Sequence, residues 1–460
     1  MLFLPCFENK LSAMHIHLIS IGGAVMHNLA LALQAQGHSV TGSDDEIFDP
    51  AKSRLAEAGL LPLKMGWHTE NIHGKIDQII LGMHARLDNP ELLRAQELEI
   101  PILSFPAFTF QQTADKIRMV VAGSHGKTTT TAMLMHVFKT LQMPYDYLVG
   151  SIVQGYDRMV QFSDAPVSII EGDEYLSSPL DRRPKFLHYK PQLSMITGIA
   201  WDHINVFPTY ENYLEQFREY LKSIPAKGVC YYNQEDEDLK TIATQLKPTL
   251  DIVLEPYSTL PYTSKNEGLA VHWMGRDYDM NWFGKHNVSN MSGAMALAHS
   301  YGIDNHNFLS AMQTFDGTAR RLEKIYDKNN LTIIRDFAHS PSKVKATVEA
   351  VKEQYASRKV YAFFELHTFS SLQKNFLPHY NATMEKADEA YIYIDKHVFN
   401  LKKMDPLTAT EIKNGFGKNV TVIDTKASLI AAVKAVDKDK AVILLMSSGS
   451  FSGLKTEDYI

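Results

Sequence analysis

Short apolar runs alternate with helical patterns along most of the chain. In the first hundred residues the runs at 15–21, 39–42, 78–81 and 101–104 are predicted strands, and residues 24–36 form a predicted helix that Gly37 ends. The final segment repeats the pattern, with predicted strands at 331–335, 360–364, 390–394, 420–423 and 441–446. Strands that alternate with helices predict an α/β fold built on parallel sheets.

The middle of the chain contains a glycine-rich stretch between an apolar run at 119–122 and a helical pattern. Its residues are Gly123, Ser124, His125, Gly126, Lys127, Thr128 and Thr129. The glycines let backbone N–H groups converge, and the helix start adds a partial positive charge, which together suit a phosphate. Lys127 is placed to reach the terminal phosphates and Thr128 to hold Mg²⁺. The loop is shorter than the usual motif, which would need glycine where Val121 stands. A plain strand-turn-helix is the alternative.

Gly22 and Gly23 follow the first predicted strand, and Asp44 follows the second, about twenty positions later. This βαβ spacing places a carboxylate near a ribose or base, although a turn or helix cap explains Asp44 equally well. Ser20 stands where a full dinucleotide fingerprint would have glycine, so we do not predict an NAD site. Asn89 precedes a proline in a predicted connecting turn.

Acidic and imidazole side chains follow two further strands. Glu171 comes directly after a buried-type strand at 166–170 and is a candidate Mg²⁺ ligand, with a solvated acidic turn as the alternative. His203 follows another apolar run. It is either a metal ligand or an ordinary core or surface histidine, and the sequence favours neither. Asn287 opens a predicted helix, where it can pair with an adenine edge or act as a cap. Arg321 can reach a phosphate or serve as a linker charge.

Composition limits the classes of function. A formal net charge of −6 and the lack of a basic stretch argue against a nucleic-acid partner. Cys6 and Cys230 make neither a disulfide framework nor a zinc site, which suits the cytoplasm. The apolar opening is too short for a membrane span or signal peptide, so no membrane partner is predicted. Because Met14 precedes the first strand, residues 1–13 are an expected extension or misplaced start.

Several motifs occur in one order. They are Gly-Ser-His-Gly-Lys-Thr-Thr at 123–129, Glu-Gly-Asp-Glu-Tyr at 171–175, Asp-His at 202–203, Gly-Lys-His-Asn-Val-Ser-Asn at 284–290, Arg-Arg-Leu-Glu at 320–323 and Asp-Phe-Ala-His-Ser-Pro at 336–341. In this order, over nearly the whole chain, they resemble the Mur ligase family. The chain departs from the family pattern in three places. Gly198 replaces the usual Asn, Arg335 replaces the first Asp of a pair, and the loop near Ser20 has fewer glycines than usual.

The resemblance implies three α/β domains and an ATP-dependent ligase that forms an amide bond. These are a Rossmann-like UDP-sugar domain at 14–117, a central P-loop ATPase domain at 118–321, and a Rossmann-like domain at 322–460. The last of these is expected to close on ATP and to bind the acceptor peptide. The implied ligands are ATP, Mg²⁺, UDP-N-acetylmuramate and a short murein peptide, bound by a monomer or weak homodimer.

The resemblance also assigns residues. The catalytic set is Lys127, Glu171, His203 and Arg321, and the metal set is Thr128, Glu171 and His203. ATP is expected on residues 123–129, with Asn287 at adenine, Arg321 at the γ-phosphate and Asp336 at the ribose. The expected substrate-binding residues are Gly22, Gly23, Asp44, Asn89, His339 and His367.

The acceptor is left open within the family. Residues 15–44, 171–191 and 444–453 resemble members that ligate the tripeptide L-Ala-γ-D-Glu-meso-diaminopimelate, whereas residues 364–370 resemble members that add L-alanine. A non-catalytic nucleotide sensor on the same scaffold is the remaining alternative, which retention of Lys127, Thr128, Glu171 and His203 disfavours.

Overall fold

The computed structural model describes residues 13–318, 321–417, 419–455 and 458. Cys6 and nearly all of the proposed N-terminal extension therefore lie outside the described residues. The chain packs as two compact units. Unit 1 runs to Val120 and includes Pro144–Gln192, and unit 2 comprises Val121–Met143 and the chain from Leu193 onward.

The elements up to residue 192 follow the predicted alternation. The strands are β1 His15–Ile19, β2 Ser39–Ser43, β3 Gln78–Leu81, β4 Ile102–Ser104, β5 Ile117–Ala122, β6 Asp146–Leu148, β7 Val160–Gln161 and β8 Val167–Gly172. The helices are α1 Ala24–Ala35, α2 Ala51–Glu57, α3 Pro90–Glu97, α4 Phe105–Gln112 and α5 Lys127–Thr140.

In unit 1 a four-stranded sheet has the order β2-β1-β3-β4, and all its pairs are parallel. Ile16 aligns with Val40 on one side and with Gln78 on the other. Every residue of β3 is buried, as expected of a parallel sheet covered on both faces. One side of its core is filled by Ile19, Ile72, Ile76, Ile79, Leu81, Ala85, Leu92, Ala95 and Ile100.

The rest of unit 1 is a second group of strands. β6 pairs in parallel with β8 and antiparallel with the short β7. At the start of β5 the Ile117 N–H donates to the carbonyl oxygen of Pro166 at 3.0 Å. All six residues of β8 are buried, and the strand ends at Glu171 and Gly172.

The elements from residue 193 continue the pattern. The strands are β9 Leu193–Ile196, β10 Val229–Asn233, β11 Val253–Tyr257, β12 Tyr262–Ser264, β13 Leu269–Trp273, β14 Arg276–Met280, β15 Glu323–Lys328, β16 Leu331–Asp336, β17 Lys359–Glu365, β18 Glu389–Tyr393, β19 Val420–Ile423 and β20 Ala441–Met446. The helices are α6 Tyr210–Ser223, α7 Glu237–Leu246, α8 Lys285–Tyr301, α9 Asn305–Met312, α10 Pro341–Gln354, α11 His397–Lys402, α12 Ala409–Phe416 and α13 Lys426–Ala435.

In unit 2, β9 and β11 both pair in parallel with β10, and Thr197 after β9 donates its N–H to the Ala122 carbonyl at 2.9 Å. Helix α6 buries the stripe Tyr213, Leu214, Phe217, Tyr220 and Leu221. An antiparallel three-stranded sheet, β12-β13-β14, follows and was not predicted.

The six-stranded sheet of unit 2 has the order β15-β16-β20-β17-β18-β19 and is parallel except for the edge strand β15. All residues of β20 are buried, because it lies in the middle of the sheet. The fold is thus α/β with parallel-sheet cores, as predicted. Among the described residues, no helix is both long enough and apolar enough to cross a membrane.

Candidate active site

The loop between β5 and α5 requires glycine at two positions. Gly123 has φ +131°, and a Cβ there would lie 2.1 Å from the Thr197 Oγ1. Gly126 is left-handed at φ +81°, and its Cβ would lie 2.3 Å from the Asn290 Oδ1. Any side chain at either position would displace packed polar groups, so the tight loop depends on these two glycines.

Further hydrogen bonds hold the loop beside residues 197–200. Ser124 donates its N–H to the Gly198 carbonyl at 3.0 Å, and its Oγ accepts the Ala200 N–H at 2.7 Å. Lys127, the first residue of α5, donates from Nζ to the Gly123 carbonyl at 2.6 Å. The lysine therefore lies across the loop at the positive end of a helix, which is the arrangement that binds phosphate in other proteins.

The electrostatics of this region disfavour a charged His125. Burial and the nearby charges of Lys343 and Lys127 lower the pKa of His125 to about 3. Its Nδ1 lies 2.9 Å from the Ser124 Oγ. His125 is therefore neutral at physiological pH, and its ring can donate or accept hydrogen bonds without placing a positive charge in the loop.

Asp202 and His203 lie on the connection that follows β9. The Asp202 Oδ1 accepts the His203 N–H at 2.8 Å, and the His203 backbone is left-handed at φ +55°. Burial alone would raise the pKa of Asp202, but Lys343, His203, His339 and the His203 N–H together outweigh it and hold that pKa well below its usual range. Asp202 is therefore a buried carboxylate that stays charged.

The start of α8 supplies a second buried group. The Asn287 side chain is buried, and its Nδ2 donates to the Phe283 carbonyl at 2.9 Å. Burial lowers the pKa of the neighbouring His286, with Asp336 and Arg321 close enough to act on it. His286, Asp336 and Arg321 therefore share one electrostatic environment, and the predicted adenine contact of Asn287 stays a prediction.

Asp336, the last residue of β16, and Arg321, just before β15, have defined partners. The Asp336 Oδ1 accepts the Ala338 N–H at 2.7 Å, and its Oδ2 accepts the Leu322 N–H at 2.8 Å. The Arg321 guanidinium lies 5.2 Å from the centre of the Phe337 ring. Both carboxylate oxygens of Asp336 already accept backbone N–H groups. A ribose hydroxyl that binds Asp336 would therefore donate to an oxygen that has another hydrogen bond.

The C-terminal ends of β17 and β20 form another polar cluster in unit 2. The Glu365 Oε2 accepts hydrogen bonds from the Ser447 hydroxyl and from the Phe451 N–H. A Cβ added to Gly449 would lie 3.0 Å from His367, so this predicted substrate residue lies against the loop after β20. Glu365 is buried and shapes that loop.

In unit 1 the predicted nucleotide residues lie together. Gly22 donates its N–H to the Asp44 Oδ2 at 2.7 Å, and Gly23 precedes α1. Burial raises the pKa of Asp44 to about 6 despite that hydrogen bond. Ser20 is left-handed at φ +72°, a conformation typical of glycine at this position of such a loop. Asp44 is therefore not a helix cap; it closes the β1–α1 turn.

Asn89 caps α3 through its side chain, which accepts the N–H groups of Glu91 and Leu92. Glu91, to which the sequence analysis gave no role, is fully buried. Its carboxylate accepts the His68 N–H at 2.9 Å and the Asn71 Nδ2 at 2.8 Å, and it also bonds the Ser43 hydroxyl. The burial of Glu91 could not be predicted from the sequence, because an acidic residue at a helix start is ordinarily exposed and neither an apolar pattern nor a glycine marks the position.

Glu171 is the penultimate residue of β8 in unit 1, and its Oε2 accepts the Gly150 N–H at 2.7 Å. Two more carboxylates follow on the same turn: Asp173 pairs with Lys185 at 2.6 Å, and Glu174 is fully buried. Asp181 forms a two-point pair with Arg183 and lies 3.2 Å from the His188 Nε2. Glu171 and Glu174 are buried, so Glu171 does not lie in a solvated acidic turn.

Within unit 2 the structure brings the loop 123–126, Asp202 and the turn Asp336–His339 into one electrostatic cluster. Lys343 belongs to this cluster and was missed, because its acidic partner Asp202 is 141 positions away in the sequence. Glu171 belongs to unit 1, and its shared metal role with Thr128 and His203 remains a prediction. The residues of unit 2 fit a nucleoside triphosphate and Mg²⁺, because they offer glycines without side chains, a helix start, the Lys127 ammonium group and the Thr128 hydroxyl as an oxygen ligand.

Comparisons with known proteins match the chain along its length. Three family models cover it: "Mur ligase family, catalytic domain" at residues 15–116, "Mur ligase middle domain" at 121–298, and "Mur ligase, glutamate ligase domain" at 320–449.

Two curated relatives illustrate the range of substrates. UDP-N-acetylmuramate–L-alanine ligase of Streptococcus pneumoniae is 30% identical over 456 residues, which is 96% of each chain. UDP-N-acetylmuramate–L-alanyl-gamma-D-glutamyl-meso-2,6-diaminoheptandioate ligase of Haemophilus influenzae is 28% identical over 347 residues, 74% of this chain and 76% of the relative.

The fold matches solved structures as well. The crystal structure of UDP-N-acetylmuramate-alanine ligase from Thermotoga maritima has a TM-score of 0.70 at 23% identity, covering 96% of this chain and 97% of that one. Members of the matched family are ATP-dependent enzymes that form amide bonds. The parallel α/β sheets, the glycine loop and these matches lead to one conclusion: the chain belongs to the Mur ligase family.

Proposed function

We propose that the protein joins the murein tripeptide L-Ala-γ-D-Glu-meso-diaminopimelate to UDP-N-acetylmuramate in the cytoplasm, as a step of peptidoglycan recycling. ATP supplies the driving force. The observation that carries the proposal is the tight glycine loop at 123–126, with Lys127 folded over it at the start of α5.

The proposed reaction has two steps. An oxygen of the lactyl carboxylate attacks the γ-phosphorus of ATP, and ADP leaves, giving an acyl phosphate. The free amine of the acceptor then attacks the acyl carbon. Phosphate leaves with the carboxylate oxygen, and the amine gives up one proton as the amide forms.

The first step requires two anions to meet. At ~4 Å and an effective dielectric constant of about 20, each pair of unit charges costs about 4 kcal/mol, or roughly a thousandfold in rate. Lys127 and Arg321 are the cations we assign to the phosphates, where they offset that repulsion. Mg²⁺, with Thr128, Glu171 and His203 as the assigned ligands, adds further positive charge when bound.

The remaining residues position the substrates. We assign the uridine nucleotide to Gly22, Gly23, Asp44 and Asn89, and the acceptor to His339 and His367. Asn287 and Asp336 are assigned to adenosine. Since neither step depends on a strong side-chain acid or base, orientation of the two substrates supplies much of the remaining rate.

The choice of acceptor rests on the loop at 171–191. It contains the Asp181–Arg183 pair and the Lys185–Asp173 pair, both within the stretch that resembles tripeptide ligases. The Haemophilus influenzae relative carries that activity in its name.

L-Alanine as the acceptor is the second candidate. It is favoured by residues 364–370, where Glu365 and His367 follow β17, and by the name of the Streptococcus pneumoniae relative. Both candidates share UDP-N-acetylmuramate and ATP, so only the acceptor separates them.

The deciding experiment supplies the purified protein with UDP-N-acetylmuramate, ATP and Mg²⁺, and then compares tripeptide, tetrapeptide and L-alanine. Phosphate release and the ligated product are measured together. We expect a tripeptide rate at least about tenfold above that with L-alanine, a specificity difference of about 1.4 kcal/mol. The reverse order would establish the second candidate, and no product with any acceptor would overturn both.

A further inference from the structure

Lys343 occupies a position that helix stability does not favour. It is the third residue of α10, whose first turn contains no acidic side chain. A positive charge there opposes the partial positive charge of the helix N-terminus. The side chain is nevertheless only 14% exposed. Partners outside the helix must therefore compensate for holding this charge in place.

Two such partners lie in unit 2. The Lys343 Nζ is 3.5 Å from the Asp202 Oδ2 and 3.4 Å from the His339 Nε2. The His339 Nδ1 lies 2.8 Å from the Phe337 carbonyl and therefore donates to it, which leaves Nε2 as an acceptor. Burial and the Lys343 charge lower the pKa of His339 to about 3, consistent with a neutral ring. Lys343 thus donates to both groups.

Asp202 also binds the backbone of His203. The other carboxylate oxygen, Oδ1, accepts the His203 N–H at 2.8 Å. His203 is held at φ +55°, and its carbonyl accepts the N–H groups of Val206 and Phe207. A left-handed histidine persists only where its surroundings over-determine it. The Asp202 carboxylate is one of those determinants, and Lys343 fixes its orientation.

We propose that Lys343 is a positioning residue for ligation: through Asp202 it holds the His203 turn in the shape that Mg²⁺ binding needs. The proposal rests on the proposed function, in which His203 attends the metal. It adds that a residue 141 positions away in sequence from Asp202 controls that turn. Lys343 lies on α10, which follows β16, so its contact with Asp202 joins the C-terminal segment to the connection after β9.

The kinetic test uses Lys343→Met. We expect the Mg²⁺ concentration for half-maximal phosphate release to rise about tenfold, the usual loss when a partner of a metal ligand is removed. The KM for UDP-N-acetylmuramate should stay unchanged. Lys343→Arg, which keeps the charge, should restore most of the Mg²⁺ response. Lys345→Met is the matched control, because Lys345 is exposed on the same helix and its nearest acidic partner is Glu349, at 4.0 Å.

A second readout needs no catalysis. In the protein without substrates, hydrogen–deuterium exchange of the amides at 202–207 should be about tenfold faster in Lys343→Met than in the wild type, because the His203 N–H loses a fixed acceptor. Lys343→Gln keeps hydrogen-bond donors without the charge, and it is the second variant if the methionine variant does not fold.

The outcomes separate the two proposals. Unchanged exchange and an unchanged Mg²⁺ response in Lys343→Met and Lys343→Gln would overturn the positioning role, even with a fully active wild type. A wild type that ligates no acceptor, combined with faster exchange in the variants, would overturn the proposed function while the Lys343–Asp202–His203 connection stands. An equal effect in Lys345→Met would also overturn the positioning role.

Discussion

The ammonium group of Lys127 lies 2.6 Å from the carbonyl oxygen of Gly123, four residues earlier in the chain. The lysine thus spans the glycine loop through this hydrogen bond. A phosphate bound in the loop would lie close to the same positive charge. In the proposed reaction this one side chain both holds the loop and supplies positive charge at the phosphates.

Replacing Lys127 with Met should reduce ATP-dependent phosphate release by about a thousandfold, because a preorganised cation at the reacting phosphate is lost. Binding of UDP-N-acetylmuramate, measured by calorimetry, should be unchanged, because its assigned residues lie in unit 1. Lys139→Met, an exposed change in the last turn of the same helix, is the control. Near-normal activity of Lys127→Met would remove the phosphate-loop assignment.

Gly126→Ala should be more damaging than Gly302→Ala. Both glycines are left-handed, so each alanine pays about 1–2 kcal/mol in backbone energy. At Gly302 nothing lies within 4 Å of the added Cβ, whereas at Gly126 the Asn290 Oδ1 would lie 2.3 Å away. Thermal unfolding and phosphate release should show the larger loss for Gly126→Ala. Equal losses would mean that the loop has room for a side chain.

Asp44 should make stability depend on pH. Its pKa rises from 3.8 in the unfolded chain to about 6, so the folded protein binds the proton more tightly. Its contribution to stability is fully present below about pH 4 and is lost as the pH rises through about 6. Asparagine cannot titrate, so the Asp44→Asn variant should not lose this stability between pH 4 and pH 7. After discounting for solvent screening, its free energy of unfolding relative to that of the wild type should therefore be about 1–2 kcal/mol higher at pH 7 than at pH 4. Parallel unfolding profiles of the two proteins would contradict this.

Lys116 and Asp146 form a buried ion pair 2.5 Å apart in unit 1. Lys116→Met should lower the free energy of unfolding by about 3–5 kcal/mol, because Asp146 would be left buried and unpaired. The double variant Lys116→Met/Asp146→Leu should recover part of that loss. Lys222→Met, which breaks an exposed pair with Glu219, should cost under about 1 kcal/mol. A Lys116→Met loss as small as that of Lys222→Met would show that the buried pair is unimportant.

Much of the fold followed from local signals. Apolar runs with turn residues after them predicted β1, β2 and β3, and glycines predicted the loop before α5. Thr209, a residue type that favours helix starts, caps α6, and its hydroxyl accepts the Asn212 N–H. These features depend on neighbours in sequence, which is why a periodic pattern and a cap residue suffice to predict them.

The missed features have physical causes. The hairpin of β13 and β14 turns at Met274 and Gly275, both with positive φ, and methionine is not a residue that signals such a turn. Lys343 and Asp202 meet only in the folded protein, and neither gives a local signal of the pairing. The site residues drawn from the family resemblance keep their roles as predictions.

The most direct test of the central claim follows the oxygen atoms of the carboxylate. UDP-N-acetylmuramate labelled with ¹⁸O in its lactyl carboxylate is ligated in the presence of ATP, Mg²⁺ and the tripeptide, and the released phosphate is analysed by mass spectrometry. An acyl phosphate requires each phosphate to carry one labelled oxygen. Ligation with unlabelled phosphate would contradict the account.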